Sequence, residues 1–123
     1  SISYESYLRN WPLPEVVELE TIKFKLKADQ LYGEYSANEV AADMKYRGQV
    51  IEVSGRIQEI GKDILDNAYI VIGGDGFFEG VQCTFLSNQQ LSVAKLSKGQ
   101  HVTVKGEVAG KMGSVLVYKC TLK

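Results

Sequence analysis

The chain has 123 residues, with 14 Lys plus Arg against 15 Asp plus Glu and a net charge of −1. That length carries one hydrophobic core, and the charge totals show none of the basic footprint that binding nucleic acid through phosphate neutralisation leaves, which still allows a local basic patch. No apolar run approaches the roughly 20 residues of a membrane helix.

The chain opens SISYESYLRN, with neither an initiator Met nor a secretory leader, as when a leader has been removed or was never included. Pro12 and Pro14 push the residues before them towards extended conformations. Residues 1–27 are therefore expected to form an extended arm, with Trp11 docked on the body. Ile22, Phe24 and Leu26 alternate with Lys23, Lys25 and Lys27. This period of two fits either an extended lead-in or a strand with one wet face.

From Ala28 the period becomes helical. Leu31, Tyr32 and Tyr35 share one face of a helix over 28–35. Ser36 and Glu39 read as a capping box opening a second helix over 37–46. Val40, Ala41 and Met44 are expected on its buried face, with Ala41 and Ala42 permitting close approach. Gly48 ends this region, and a long strand follows from Gln49 to Ile60. Ile51, Val53, Gly55 and Ile57 point to one side, and Gly55 marks a bend of the kind found at barrel corners.

The turn GKDILDN precedes a second strand, AYIVIG, at 68–73. The turn GGDG leads to a third strand in FFEGVQCTFL. Ser87 and Gln90 repeat the capping pattern before a helix over 88–96 carrying Leu91, Ala94 and Lys95. Two more strands, HVTVKGEVAG and SVLVYKCTL, complete the chain. A long glycine-bent first strand, with a helix between the third and fourth, matches a five-stranded Greek-key barrel of the OB type. The expectation is a mainly β fold, closed from about Gln49 to Leu122, with N-terminal helices that continue into the barrel without a linker. Residues 28–123 then form the OB-fold domain.

ANEVAADMKYRGQVIEVSG (37–55), then GGDG, GVQCTF and the closing YKC, resemble the bacterial tRNA_anti-like family. The resemblance covers about residues 28–123. It implies an OB barrel, often in exported or membrane-tethered bacterial proteins, with no established catalytic residues. The family name records a likeness to the anticodon-binding domain of tRNA synthetases.

No catalytic set, metal site or cofactor is expected. His101 is the single histidine, and metal sites combine several ligands. Asp63, Asp66 and Asp75 lie in turns and do not follow a calcium-loop spacing. Cys83 and Cys120 fall on apolar sides of the third and fifth strands, which neighbour one another in an OB barrel. Cys120 is expected to share its side with Leu116, Tyr118 and Leu122. The two thiols form either a pair of small buried hydrophobes or a disulfide suited to an oxidising compartment.

OB barrels bind ligands on the face of the second and third strands and the flanking loops. Single-stranded nucleic acid needs aromatic platforms and a cationic groove there. The outward candidates are Arg56, Tyr69, Gln82 and Thr84, with Lys62 in the first loop, Lys111 in the last, and Phe77 and Phe78 between the second and third strands. Tyr69 is the one platform among them. These readings point to a non-enzymatic binding module of extracytoplasmic location, in the periplasm or cell envelope. Its partner would be a protein, a peptide or a small polar ligand. The alternatives are a tRNA- or oligonucleotide-binding domain, which would fit the cytoplasm, and a structural domain of a larger envelope protein. Charge favours the first reading; the history of the fold favours the nucleic acid.

Overall fold

Alternation of branched residues with polar ones builds five long or medium strands, and their register closes them into a barrel. A computed structural model describes residues 21–73 and 80–123. The elements are β1 (Phe24–Lys27), α1 (Ala28–Ala37), α2 (Glu39–Tyr46), β2 (Val50–Lys62), β3 (Ala68–Gly73) and β4 (Val81–Phe85). A single 3-10 turn (Ser87–Gln89) then runs into α3 (Gln90–Ala94), followed by β5 (His101–Met112) and β6 (Ser114–Leu122). The barrel order is β2-β3-β4-β6-β5, closed by the β2–β5 pair, with β4 and β6 parallel and the other pairs antiparallel. This is the OB arrangement. Residues 1–20 and 74–79, including Trp11, Asp75, Phe77 and Phe78, lie outside the described residues.

The KFKLK alternation does form a strand. β1 runs parallel to β2, pairing Phe24 with Ile51 and Lys27 with Ser54. It occupies the edge of β2's first half, and β3 takes over the same edge from Arg56 onwards. Gly55 sits at the changeover. A Cβ there would lie 2.8 Å from the Gly73 carbonyl oxygen and 3.2 Å from the Ala28 methyl. The bend at Gly55 thus has a local cause: two elements meet over it, and only a bare backbone fits.

The core gathers Ile51, Val53, Ile57, Ile70, Ile72, Cys83, Phe85, Val104 and Val117 from the barrel. Ala28, Leu31 and Tyr35 of α1 and Ala42 and Tyr46 of α2 belong to the same cluster. Tyr46 packs edge-on against Phe24 with ring centroids 4.9 Å apart. Burying rings of this size removes roughly 150–250 Å² each from water, the dominant favourable term in seating the helices. Polar contacts add orientation. Tyr35 donates to Asp43 Oδ1 at 2.8 Å, and Glu34 accepts from the Tyr46 hydroxyl and pairs with Lys45 at 3.2 Å.

Several local expectations are corrected. Helix α2 is capped by Asn38, whose Oδ1 accepts from the Ala41 N–H at 3.0 Å, while Ser36 lies inside α1. Asparagine caps as well as serine, and α1 continues two residues further than the Ser36 signal implied. The buried face of α2 is Ala42 and Tyr46; Val40 and Met44 are 72% and 85% exposed. An aromatic ring four residues from a small one decides the helix's rotation. Ser87 forms no side-chain cap, and α3 buries Val93 rather than Leu91. In β6, Lys119 adopts a left-handed backbone (φ 57) where the pairing with β4 and β5 shifts register. The bulge shifts the alternation, so Cys120 joins the core with Val115 and Val117, not with Leu116 and Tyr118.

Candidate functional site

Two regions of the outer barrel surface hold the side chains expected to bind. The first is the face of β3 and β4 with the second half of β2. Cross-strand register sets Tyr69 beside Gly61 on one strand and Thr84 on the other, and Val71 beside Glu59 and Gln82. Gly61 lets the Tyr69 ring lie across β2, because a Cβ there would stand 2.9 Å from the tyrosine oxygen. The Tyr69 hydroxyl donates to Glu59 Oε2. That hydrogen bond is the main cause of the upward shift of the Tyr69 pKa, with slight burial and the Asp63 charge adding to it. Thr84 is fully buried despite its outward register, and its Oγ1 has no hydrogen-bond partner among the described residues.

The expected cations do not join this face as a group. Arg56, midway along β2 and opposite the last residue of β3, donates to the Gly99 carbonyl at 3.1 Å. Lys62 pairs with Asp66 at 3.1 Å in the β2–β3 turn. Lys111 lies 5.9 Å from the centroid of the Tyr32 ring. Gln82 stands between Val71 and Leu116. The structure therefore brings Tyr69 and Gln82 to one face and sends Arg56, Lys62 and Lys111 to separate places. Lys119 and Glu107 form a further pair, at 3.3 Å, on the neighbouring strands. The exposed His101 stands opposite Arg56 in the β2–β5 register.

The second region is a groove of about 370 Å³ between α2 and the outer face of β5–β6. Asp43 of α2 and Arg47, the residue that caps its C-terminus, form one wall, and Lys111, Met112, Leu116 and Tyr118 form the other. Asp43 is held by the Tyr35 hydroxyl and lies 3.9 Å from Arg47. Burial, then the Asp43 hydrogen bond, pushes the Tyr35 pKa well up, and burial does the same for Tyr118. Val40, Met44 and Met112 are exposed large apolar residues on these two elements. Of this region, only Lys111 was legible as a candidate. The missed signal was the spacing of Ala42 and Tyr46, which turns Val40 and Met44 outwards.

The tRNA_anti-like family model matches residues 5–121. The chain belongs to the tRNA_anti-like family. The match begins well before residue 28, so it takes in β1 and most of the residues ahead of it. Among solved structures, this tRNA_anti-like chain resembles a Klebsiella pneumoniae subsp. pneumoniae lipoprotein described as a candidate nucleic acid-binding protein. The identity is 19% over 92% of this chain and 99% of that one, with a TM-score of 0.68. It also resembles the OBodies AM3L09 and AM3L15, both bound to hen egg-white lysozyme. Each is 16% identical over 63% of this chain, covering 84% and 79% of the OBody chains, with TM-scores of 0.51 and 0.52. Likeness at these identities establishes the fold. No curated protein sequence matches the chain. Among the described residues, no helix is long and apolar enough to cross a membrane.

Proposed function

We propose that this tRNA_anti-like chain is a non-enzymatic binding module of the bacterial envelope that holds a protein or peptide segment in the groove between α2 and β5–β6. The observation that carries the reading is the groove itself, where the exposed Met112 and the side chain of Leu116 face the charged pair Asp43 and Arg47. Methionines adapt to varied apolar partners, and an apolar centre with a charged border is the ordinary anatomy of a protein interface. Two facts support it further. OB-fold chains of similar architecture bind a protein, lysozyme. The similar Klebsiella chain is a lipoprotein, in keeping with an envelope location.

The second reading, single-stranded nucleic acid on the β3–β4 face, draws on the description of that lipoprotein. Against it stand the carboxylate at Tyr69 and the internal pairing of Lys62 and Lys119. The deciding experiment selects displayed peptides on the immobilised chain and retests them on Arg47→Glu and Met112→Glu. Selected peptides should bind the parent and lose affinity for both variants. Labelled oligonucleotides are titrated in parallel. Submicromolar affinity at about 150 mM salt, abolished in Tyr69→Ala and Arg56→Glu, would install the second reading instead.

A further inference from the structure

Strand β5 outruns the partner on one of its sides. β6 accompanies it from Val104 to Met112, whereas β2 begins at Val50, opposite Glu107. Gly48 and Gln49 carry the β2 side one residue further. The Gly48 N–H donates to the Val108 carbonyl at 2.8 Å, and the Val108 N–H donates to the Gln49 carbonyl at 3.0 Å. Ahead of Gly48 the chain leaves the sheet as α2. Among the described residues, no strand pairs with residues 109–112 on that side.

Register fixes which backbone groups this open edge presents. In an antiparallel pair, opposite residues alternate between exchanging hydrogen bonds and turning their N–H and C=O away from each other. Val108 bonds Gly48 and Gln49, so it is turned away from Val117, its opposite on β6. The extra residue of the bulge that follows, Ala109, lies in β5. On β6 the alternation therefore runs on, and Val115 is turned away from β5 as Val117 is. Its N–H accordingly donates to the Gly80 carbonyl on the β4 side, at 3.1 Å. Lys111 stands opposite Val115. The Lys111 N–H and C=O thus point out of the open edge, with no hydrogen-bond partner among the described residues. Groups presented in this way are a template for another strand.

We propose that the guest of the α2 groove is an extended peptide carrying a basic side chain, added to the edge of β5 as a strand in line with β2; the inference rests on the groove reading above. One guest residue exchanges two hydrogen bonds with Lys111, the backbone pairing of strand addition. The groove runs along this edge, with residues 107–112 on one side and Glu39, Asp43 and Arg47 on the other. A helical guest keeps its N–H and C=O groups for itself and leaves Lys111 unanswered. The charge of the guest follows from the α2 wall. Asp43 already holds the Tyr35 hydroxyl and lies beside Arg47. The exposed Glu39 makes no ion pair among the described residues, and it complements a Lys or Arg of the guest.

The probes are linear heptapeptides selected by display on the immobilised chain and then synthesised. Selection should enrich Lys and Arg. In isotope-labelled protein the Lys111 amide hydrogen should exchange quickly in the free state and about tenfold more slowly in the complex. The Gly110 amide, opposite Leu116 on β6, should change little. N-methylation of each peptide amide in turn should find one intolerant position, weakened about tenfold by the carbonyl left unbonded, between two tolerant neighbours. Glu39→Gln should weaken binding about threefold at low salt, and less as salt rises. Failure to select any binding peptide would sink the groove reading and this inference together. Peptides that bind while the Lys111 amide exchanges as before, or with no single intolerant position, would overturn the added strand and leave the groove reading standing. Unchanged affinity in Glu39→Gln would overturn the basic side chain.

Discussion

Tyr69 donates its phenolic hydrogen to the Glu59 carboxylate across the β2–β3 pair. The Tyr69 ring on the β3–β4 face is thus delivered with a negative charge attached. A base stacked on Tyr69 would bring its phosphate towards Glu59, and Asp63 adds to the negative potential felt there. Stacking is worth roughly 1–3 kcal/mol per base, and like-charge repulsion opposes it. The expected outcome is that Tyr69→Ala leaves oligonucleotide affinity within about twofold of the parent, well below the tenfold change of 1.4 kcal/mol. Glu59→Gln should raise that affinity at low salt. Fluorescence anisotropy measures both, and a large loss in Tyr69→Ala would show that the ring is used.

The two glycines Gly55 and Gly33 should respond oppositely to alanine. At Gly55 the new methyl meets backbone, the Gly73 carbonyl oxygen at 2.8 Å, and the Ala28 methyl at 3.2 Å. Neither neighbour can rotate away, so β1–α1 and β3 must separate. Overpacking of this kind costs roughly 1–3 kcal/mol. Gly33 lies within α1 with nothing near its Cβ position. Alanine there should stabilise by about 0.5–1 kcal/mol, the helix penalty of glycine. Denaturant midpoints of the two variants decide it, and a stable Gly55→Ala would mean that the changeover at this residue is looser than its contacts require.

The barrel was legible because its strands repeat a simple rule. β3 and β6 fall on the residues that alternation picks out, and Gly55 announced its corner. Alternation failed where the backbone inserted a residue. Lys119 in the left-handed region carries no sequence mark, since lysine rarely adopts it, and the faces of Tyr118 and Cys120 could not be assigned without it. Helix α2 misled for another reason. Val40 and Met44 are the obvious apolar pair, yet the ring of Phe24 waits on the other side, and only the fold reveals that. The candidate sites suffered most. Arg56, Lys62 and Lys111 were grouped by their places in the strand order, whereas each found a local partner.

Ala42 should tolerate no enlargement. It is buried on α2, facing the barrel side with Tyr46, while its neighbours Ala41 and Lys45 face solvent. Ala42→Leu adds three carbons to a filled interface and should cost roughly 1–3 kcal/mol. Ala41→Leu, on the exposed side, should stay within about 0.5 kcal/mol of the parent. Thermal melts of the pair separate close packing from a general intolerance of leucine on this helix; equal melting temperatures would place α2 away from the barrel.

Cys83 and Cys120 meet in the core as free thiols, fully buried on the neighbouring parallel strands β4 and β6. The Cys120 sulfur occupies the space that a side chain at Gly106 would need, since a Cβ there would lie 2.7 Å from it. Burial, and then hydrogen bonding to Cys83, pushes the Cys120 thiol well above its ordinary value of 9.0. In the unfolded chain this thiol loses its proton near pH 9; in the folded protein it keeps it. Above that pH the unfolded state holds fewer protons than the native one, so stability falls as pH rises. Below it the contribution is fully present. Tyr35 and Tyr118, both raised from 10.0 mainly by burial, act with the same sign from about pH 10 upwards. The denaturant midpoint should therefore respond little to these groups up to about pH 8.5, then decline in two stages. Cys120→Ala should remove most of the first stage and leave the second. Thiol reactivity gives an independent reading, because attack requires an accessible thiolate. The native protein should resist an aromatic disulfide reagent at neutral pH and release two equivalents once unfolded. Rapid labelling of the native form, or a midpoint that climbs between pH 9 and 10, would show that the pair is not sealed in the core.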